Sequence, residues 1–193
     1  MRQILAEYDN DGIYVYQAFK RSIVDAALAH GTFSKGFSRD RMTWIKPSFG
    51  WMLHRSAYAT AHRQEAILKI KLSHEGFLTI LDDAVPTSYD RAQWDTQDEW
   101  RRVLKHSEAR YQWDPDRDLH DHKLEQRAIQ IGIRGSLVHR YVDEWILQLE
   151  DVTPLAHAIH EVVRSRASAF PEAPTLQVYA VSQELQHKLQ VDG

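Results

Sequence analysis

The run Ala66-Ile67-Leu68-Lys69-Ile70-Lys71-Leu72 alternates apolar and charged side chains from Leu68 onward. Successive side chains of an extended chain point to opposite faces, so a period of two commits this segment to a β-strand. A strand needs partners, and further segments have β-forming composition. Ile13 to Gln17 follows the turn-prone Asp9-Asn10-Asp11-Gly12, and Ala128 to Gly135 alternates isoleucine with small or polar residues before a glycine turn. Met42 to Ile45, Arg110 to Trp113 and Leu176 to Val181 read as shorter strands.

Between them the helix signals are distinct. Lys20 to His30 carries Ile23, Val24, Ala27 and Leu28 on one face and stops at Gly31. Ser48 reads as an N-cap for a helix reaching about Ala59, and Thr96-Gln97-Asp98-Glu99 has capping-box spacing for a helix to His106 with Trp100, Val103 and Leu104 inward. Ser73 to Leu81 reads as a short helix that Gly76 weakens. Leu137 to Leu149 is amphipathic, Thr153-Pro154 opens a helix to about Ser168, and Ser182 to Leu189 forms a last one. Strands with variable connections and helices gathered early and late predict a single α+β domain over residues 1–193. Its sheet is central, mainly antiparallel, split or continuous, and flanked by helices.

Composition narrows the chemistry. The 193 residues include no cysteine, which excludes disulfides, a thiolate nucleophile and cysteine-ligated metals. No stretch approaches the roughly 20 apolar residues of a spanning helix, and Met1 to Tyr8 lacks the apolar core of a secretory leader, so a cytoplasmic protein without membrane partners is expected. A net charge of -3 gives the whole molecule no basic field for non-specific nucleic-acid binding, which leaves local patches. Glycine-rich phosphate loops and a Gly-x-Ser-x-Gly elbow are absent from the sequence.

The densest constellation is Arg41 to Ser56. Lys46 and Arg41 lie close in sequence to the helix N-terminus expected at Ser48, a combination suited to phosphate, and Trp44 and Trp51 offer flat faces to a base or nicotinamide ring. The plainer reading makes Phe49, Trp51 and Met52 a core face and leaves the cations solvated. Asp114 to Glu125 reproduces the first, third, fifth and twelfth oxygen positions of a calcium loop but has Leu119 where the glycine belongs, which favours an acidic turn. His120 with His122, and His157 with His160, are weak metal-ligand pairs.

Arg2-Gln3-Ile4, Val15 to Phe19, Arg41 to Phe49 with its Trp-Ile-Lys-Pro-Ser-Phe run, Trp51-Met52, Arg55-Ser56, Gln112 to Pro115 and Ile129 to Gly132 together resemble a bacterial family catalogued as domain of unknown function 4291. That resemblance spans nearly the whole chain and names no activity. More distantly, the order of elements is similar to the ADP-ribosyltransferase fold, whose split sheet holds NAD. The likeness implies NAD as substrate and a protein or nucleic acid as the modified target. It implies Ser48 and Gln130 in the middle and late catalytic positions, and Tyr16 and Gln17 where the pattern has a His or Arg motif. Arg41, Lys46 and Arg55 would neutralise pyrophosphate, and Trp44 or Trp51 would stack on nicotinamide. A non-catalytic nucleotide or nucleic-acid binding module built on the same segment is the alternative, and an interaction domain without a small ligand is a third.

Overall fold

The structure is a computed structural model and describes residues 1–192. β2 (Gly12–Phe19) pairs antiparallel along its whole length with β4 (Ala66–Ser73), and β4 pairs with β8 (Ile146–Asp151) to complete a three-stranded sheet. A second sheet runs β3 (Thr43–Ile45), β7 (Lys123–Ile133), β6 (Ala109–Arg117), β5 (Ala84–Pro86); all its pairings are antiparallel except β5 with β6. β1 (Leu5–Ala6) and β9 (Gln177–Val178) form a small antiparallel ribbon. The expected α+β class with mainly antiparallel sheets is therefore observed.

The two larger sheets meet edge to edge at β2 and β3, where ladder pairing falls to a single bridge between Tyr16 and Lys46. The Tyr16 N–H donates to the Lys46 carbonyl at 2.7 Å. Below that point the strands diverge, and the sheet is split.

Both faces of the β2–β4 pair are covered, which explains the near-continuous burial of β4. On one face Val15, Leu68 and Ile70 join the main core with Val24 and Ala27 of α1 (Arg21–His30) and Phe77 and Ile80 of α3 (His74–Asp83). On the other, Tyr16 and Ile67 pack with Phe49, Met52 and Leu53 of α2 (Phe49–Ser56) and Ala156 and Ile159 of α6 (Thr153–Ser165). Such burial contributes about 1.5–3 kcal/mol for each large apolar side chain.

The expected strands and helices are present except in a few places. Leu137 to Leu149 is not one helix. A short α5 (Ser136–Arg140) passes into a π-helical turn at Tyr141–Trp145, and the chain then extends into β8. Ladder pairing with β4 satisfies the Ile146–Asp151 backbone at the sheet edge, and this outweighs an apolar spacing that either periodicity accommodates. Gly76 weakens the helix reading for the residues after Ser73, yet α3 forms there, capped by the Ser73 hydroxyl and buried through Phe77, Ile80 and Leu81; the glycine serves packing, since a Cβ would lie 2.3 Å from the Trp145 ring.

Thr153 sits inside its helix, with Val152 at the cap. The Thr153 hydroxyl accepts the Ile67 N–H at 2.9 Å instead, pinning α6 to β4. α4 (Gln97–His106) begins at its expected Thr96 cap but buries none of its residues, and Val103 is exposed. The late strand shrinks to β9, and α7 (Gln183–Leu189) closes the described chain.

Candidate functional site

A cavity of about 560 Å³ opens where the sheets diverge. Gln17, Trp44, Lys46, Trp51, Arg55 and Gln130 all line it, so six of the nine residues singled out in the sequence converge here. Strand pairing creates the convergence. Trp44 lies opposite Gly132, and Gln112 lies opposite Gln130, on the face of the second sheet turned away from the core residues Tyr111, Ile129 and Ile131. Gly132 is required there: a Cβ would come within 2.9 Å of the Trp44 ring, so only glycine lets the indole cross that strand.

Lys46 is the unusual group. It is 7% exposed, and its Nζ has no carboxylate within ion-pair distance among the described residues. Among the described residues the ammonium makes one hydrogen bond, a long one to the Trp44 carbonyl at 3.4 Å, and it lies 5.1 Å from the centre of the Trp51 ring, inside cation–π range. Burial, reinforced by the positive charge of Arg55 and opposed by Asp114, pulls the ammonium down from 10.5 to about 7. Arg55 is exposed at the end of α2 and makes no hydrogen bond or ion pair among the described residues. The cavity thus holds two cations that the protein itself does not neutralise.

Its single acidic lining residue is Asp114. The Asp114 carboxylate accepts from Gln112 Nε2 at 3.2 and 3.1 Å and from Gln130 Nε2, so two amides fix it in place. Gln17 ties the seam together: its Nε2 donates to Thr43 Oγ1 at 2.7 Å and to the Trp44 carbonyl at 3.1 Å, and its Oε1 accepts from the Tyr141 hydroxyl at 2.6 Å.

Three expected residues lie elsewhere. Tyr16 neighbours Gln17 in an extended strand and so points to the opposite face, where its buried ring meets Phe49 at 5.0 Å. Burial and the nearby Glu7 push its hydroxyl far above the ordinary tyrosine range. Arg41 is exposed ahead of β3 and does not line the cavity.

Ser48 caps α2 as expected, accepting the Trp51 N–H at 3.1 Å, but it also donates to Asp116 Oδ1 at 2.6 Å and borders a different hollow. Asp116 is buried, which raises its pKa against the opposing Ser48 and Arg117 hydrogen bonds. The Asp116 carboxyl is thereby fixed against the capping residue of α2.

The acidic run is dispersed. Asp114 enters the cavity, Asp116 holds Ser48, and Asp118 accepts the backbone N–H groups of His120 and His122 at 2.9 and 2.8 Å. His160 stacks on Tyr58. Asp114, Gln112 and Gln64 are cavity residues that sequence reasoning missed; the alternation Gln112-Trp113-Asp114 put two of them on one face, but the facing strand was needed to show which.

A larger hollow, about 700 Å³, lies between β5, α4 and α7. Several of its polar groups serve the fold: Asp83 receives the Ser107 hydroxyl and the backbone of Glu108 and Ala109, and Lys188 donates to the Asp82 carbonyl, while its remaining cation, Arg102, is exposed to water. The smaller cavity at the seam is the stronger candidate, because its Lys46 is buried without a carboxylate partner.

Fold and cavity define an α+β protein with a polar, two-cation pocket at the junction of a split sheet. The family model described as "Domain of unknown function (DUF4291)" matches residues 3–179, and the chain belongs to that family. No curated protein matches it. Among the described residues no helix is long and apolar enough to cross a membrane.

Proposed function

We propose that the cavity binds a nucleotide, with NAD as the ligand and ADP-ribose transfer to a protein or nucleic acid as the reaction. The observation that carries this reading is the meeting of Lys46 and Arg55, both without carboxylate partners, with two indoles and one fixed carboxylate in a space of ligand size. Lys46 and Arg55 hold the pyrophosphate, since charge-assisted bonds to phosphate are the strong ones. Trp44 or Trp51 stacks on the planar ring. In the transfer step the C1′–N bond to nicotinamide breaks, the ribosyl carbon gains positive charge beside Asp114, and the target's nucleophile bonds to it while losing its proton to solvent.

A second reading has one observation in its favour. Ser48, the expected middle catalytic group, lies outside the cavity with its hydroxyl bonded to Asp116. A module that binds nucleotide without transfer needs no such group.

Thermal unfolding with and without NAD tests the shared premise. Ligand at 100 times its dissociation constant stabilises by about 2.7 kcal/mol, a rise of roughly 5–10 °C for a chain of this size. No rise at millimolar NAD removes the NAD reading. A rise with nicotinamide release supports transfer, and a rise without release leaves the binding module.

A further inference from the structure

We infer that Lys46 is a nucleophilic amine that forms an imine with the aldehyde of a phosphate-bearing sugar held in the seam cavity. This rests on the same cavity as the nucleotide reading but not on NAD being its ligand. Three features of position support it.

First, the amine borders a ligand-sized space and is almost wholly withdrawn from bulk solvent. A lysine so placed is activated for carbonyl chemistry, because desolvation and a neighbouring cation favour the free base. Second, the usual reason to bury a lysine, an internal ion pair, is missing. The partly buried Lys69 and Lys71 each have a carboxylate at 2.8 Å, whereas Lys46 has only a carbonyl at 3.4 Å. Third, Arg55 provides a permanent charge to hold a phosphate next to the amine, and its own positive charge acts on Lys46.

The chemistry balances without any further reagent. The neutral Nζ lone pair adds to the aldehyde carbon, the two protons of the nitrogen pass by relay to the carbonyl oxygen, that oxygen leaves as water, and a neutral C=N bond remains. Asp114 lies in the same cavity, where it can relay a proton between the carbinolamine and water. ADP-ribose carries both required features, an aldehyde in its ring-opened form and a pyrophosphate. Ribose 5-phosphate carries the same aldehyde with a single phosphate.

The test is reductive trapping. Full-length protein is incubated at pH 7.5 with ribose 5-phosphate or ADP-ribose and sodium cyanoborohydride, which reduces an imine to a stable secondary amine, and the adduct is mapped by peptide mass spectrometry. The expected result is one adduct per chain on Lys46, suppressed by inorganic phosphate.

Arg55→Ala should cut labelling by the phosphorylated sugars about tenfold more than it cuts labelling by unphosphorylated glyceraldehyde, which reads only the loss of the neighbouring charge. Lys46→Arg, checked for folding by circular dichroism, should lose the adduct. Labelling spread over the surface lysines, or equal for wild type and Lys46→Arg, overturns the inference. Lys46 labelling with no thermal response to NAD keeps this inference and removes the NAD reading; a response to NAD with no labelling does the reverse.

Discussion

Two places in this fold set a lysine against an aromatic ring, and they are resolved in opposite ways. On the central strand of the three-stranded sheet, Lys69 and Lys71 lie 4.4 and 5.6 Å from the Tyr14 ring, and each also meets a carboxylate, Glu7 and Asp9 respectively, at 2.8 Å. At the seam, Lys46 lies over Trp51 and meets no carboxylate. The first arrangement is electrically complete. The second keeps an unsatisfied charge in a cavity, a cost to folding that a bound anion would offset.

The largest test of this contrast is Lys46→Met. Folding lowers the Lys46 pKa from 10.5 to about 7, so between those values the unfolded chain holds the extra proton and stability rises with pH. Below pH 7 the full penalty of the buried charge remains. Lys46→Met is expected to stabilise the protein by about 2–4 kcal/mol at pH 6, with the gain vanishing toward pH 10.5, as read by urea unfolding across pH. Equal stability of both forms at pH 6 would show that the charge is already satisfied.

Next in size is ligand binding. Arg55→Ala should weaken nucleotide affinity by about 1.5–3 kcal/mol, roughly ten- to a hundredfold, with unfolding midpoints nearly unchanged, measured by calorimetric titration. Wild-type affinity should also fall above pH 7, at most tenfold per pH unit, as Lys46 loses the proton that an anion needs.

The ion-paired lysines should behave in the reverse sense. Lys69→Met removes the partner of a largely buried carboxylate and is expected to destabilise by about 1–3 kcal/mol in the same unfolding assay. Lys71→Met should cost less than Lys69→Met, because Asp9 is well exposed and water takes over. A stabilising Lys69→Met would erase the distinction between the two regions.

The contrast also marks how far the sequence could be read. β4 was legible because its alternation is local, and the α2 and α4 starts were legible because Ser48 and Thr96 cap them through neighbours three residues on. Four cavity residues, Trp44, Lys46, Trp51 and Arg55, were named because charge and aromatic content cluster around β3 and α2, and Gln17 and Gln130 through the likeness to the transferase pattern. Asp114 and Gln112 were not, since only the pairing of β6 with β7 and β7 with β3 brings them to the cavity. Tyr16 was placed with Gln17 because adjacent residues look equivalent in a string, whereas a strand sends them apart. β8 was missed because its apolar spacing suits a helix as well, and the deciding partner, β4, lies over seventy residues earlier.

The seam gives one more consequence. Among the described residues the one backbone bridge between the two larger sheets uses the carbonyl of Lys46 itself, so the residue whose side chain enters the cavity also, through its backbone, helps join the two halves beside the Gln17 side chain. A force applied to that side chain acts within one residue of that bridge. The Tyr16 amide, whose hydrogen is the other half of the bridge, becomes a built-in gauge: its exchange with deuterium reads how often the halves part, and a molecule gripped by Lys46 would slow it from the far side of the strand.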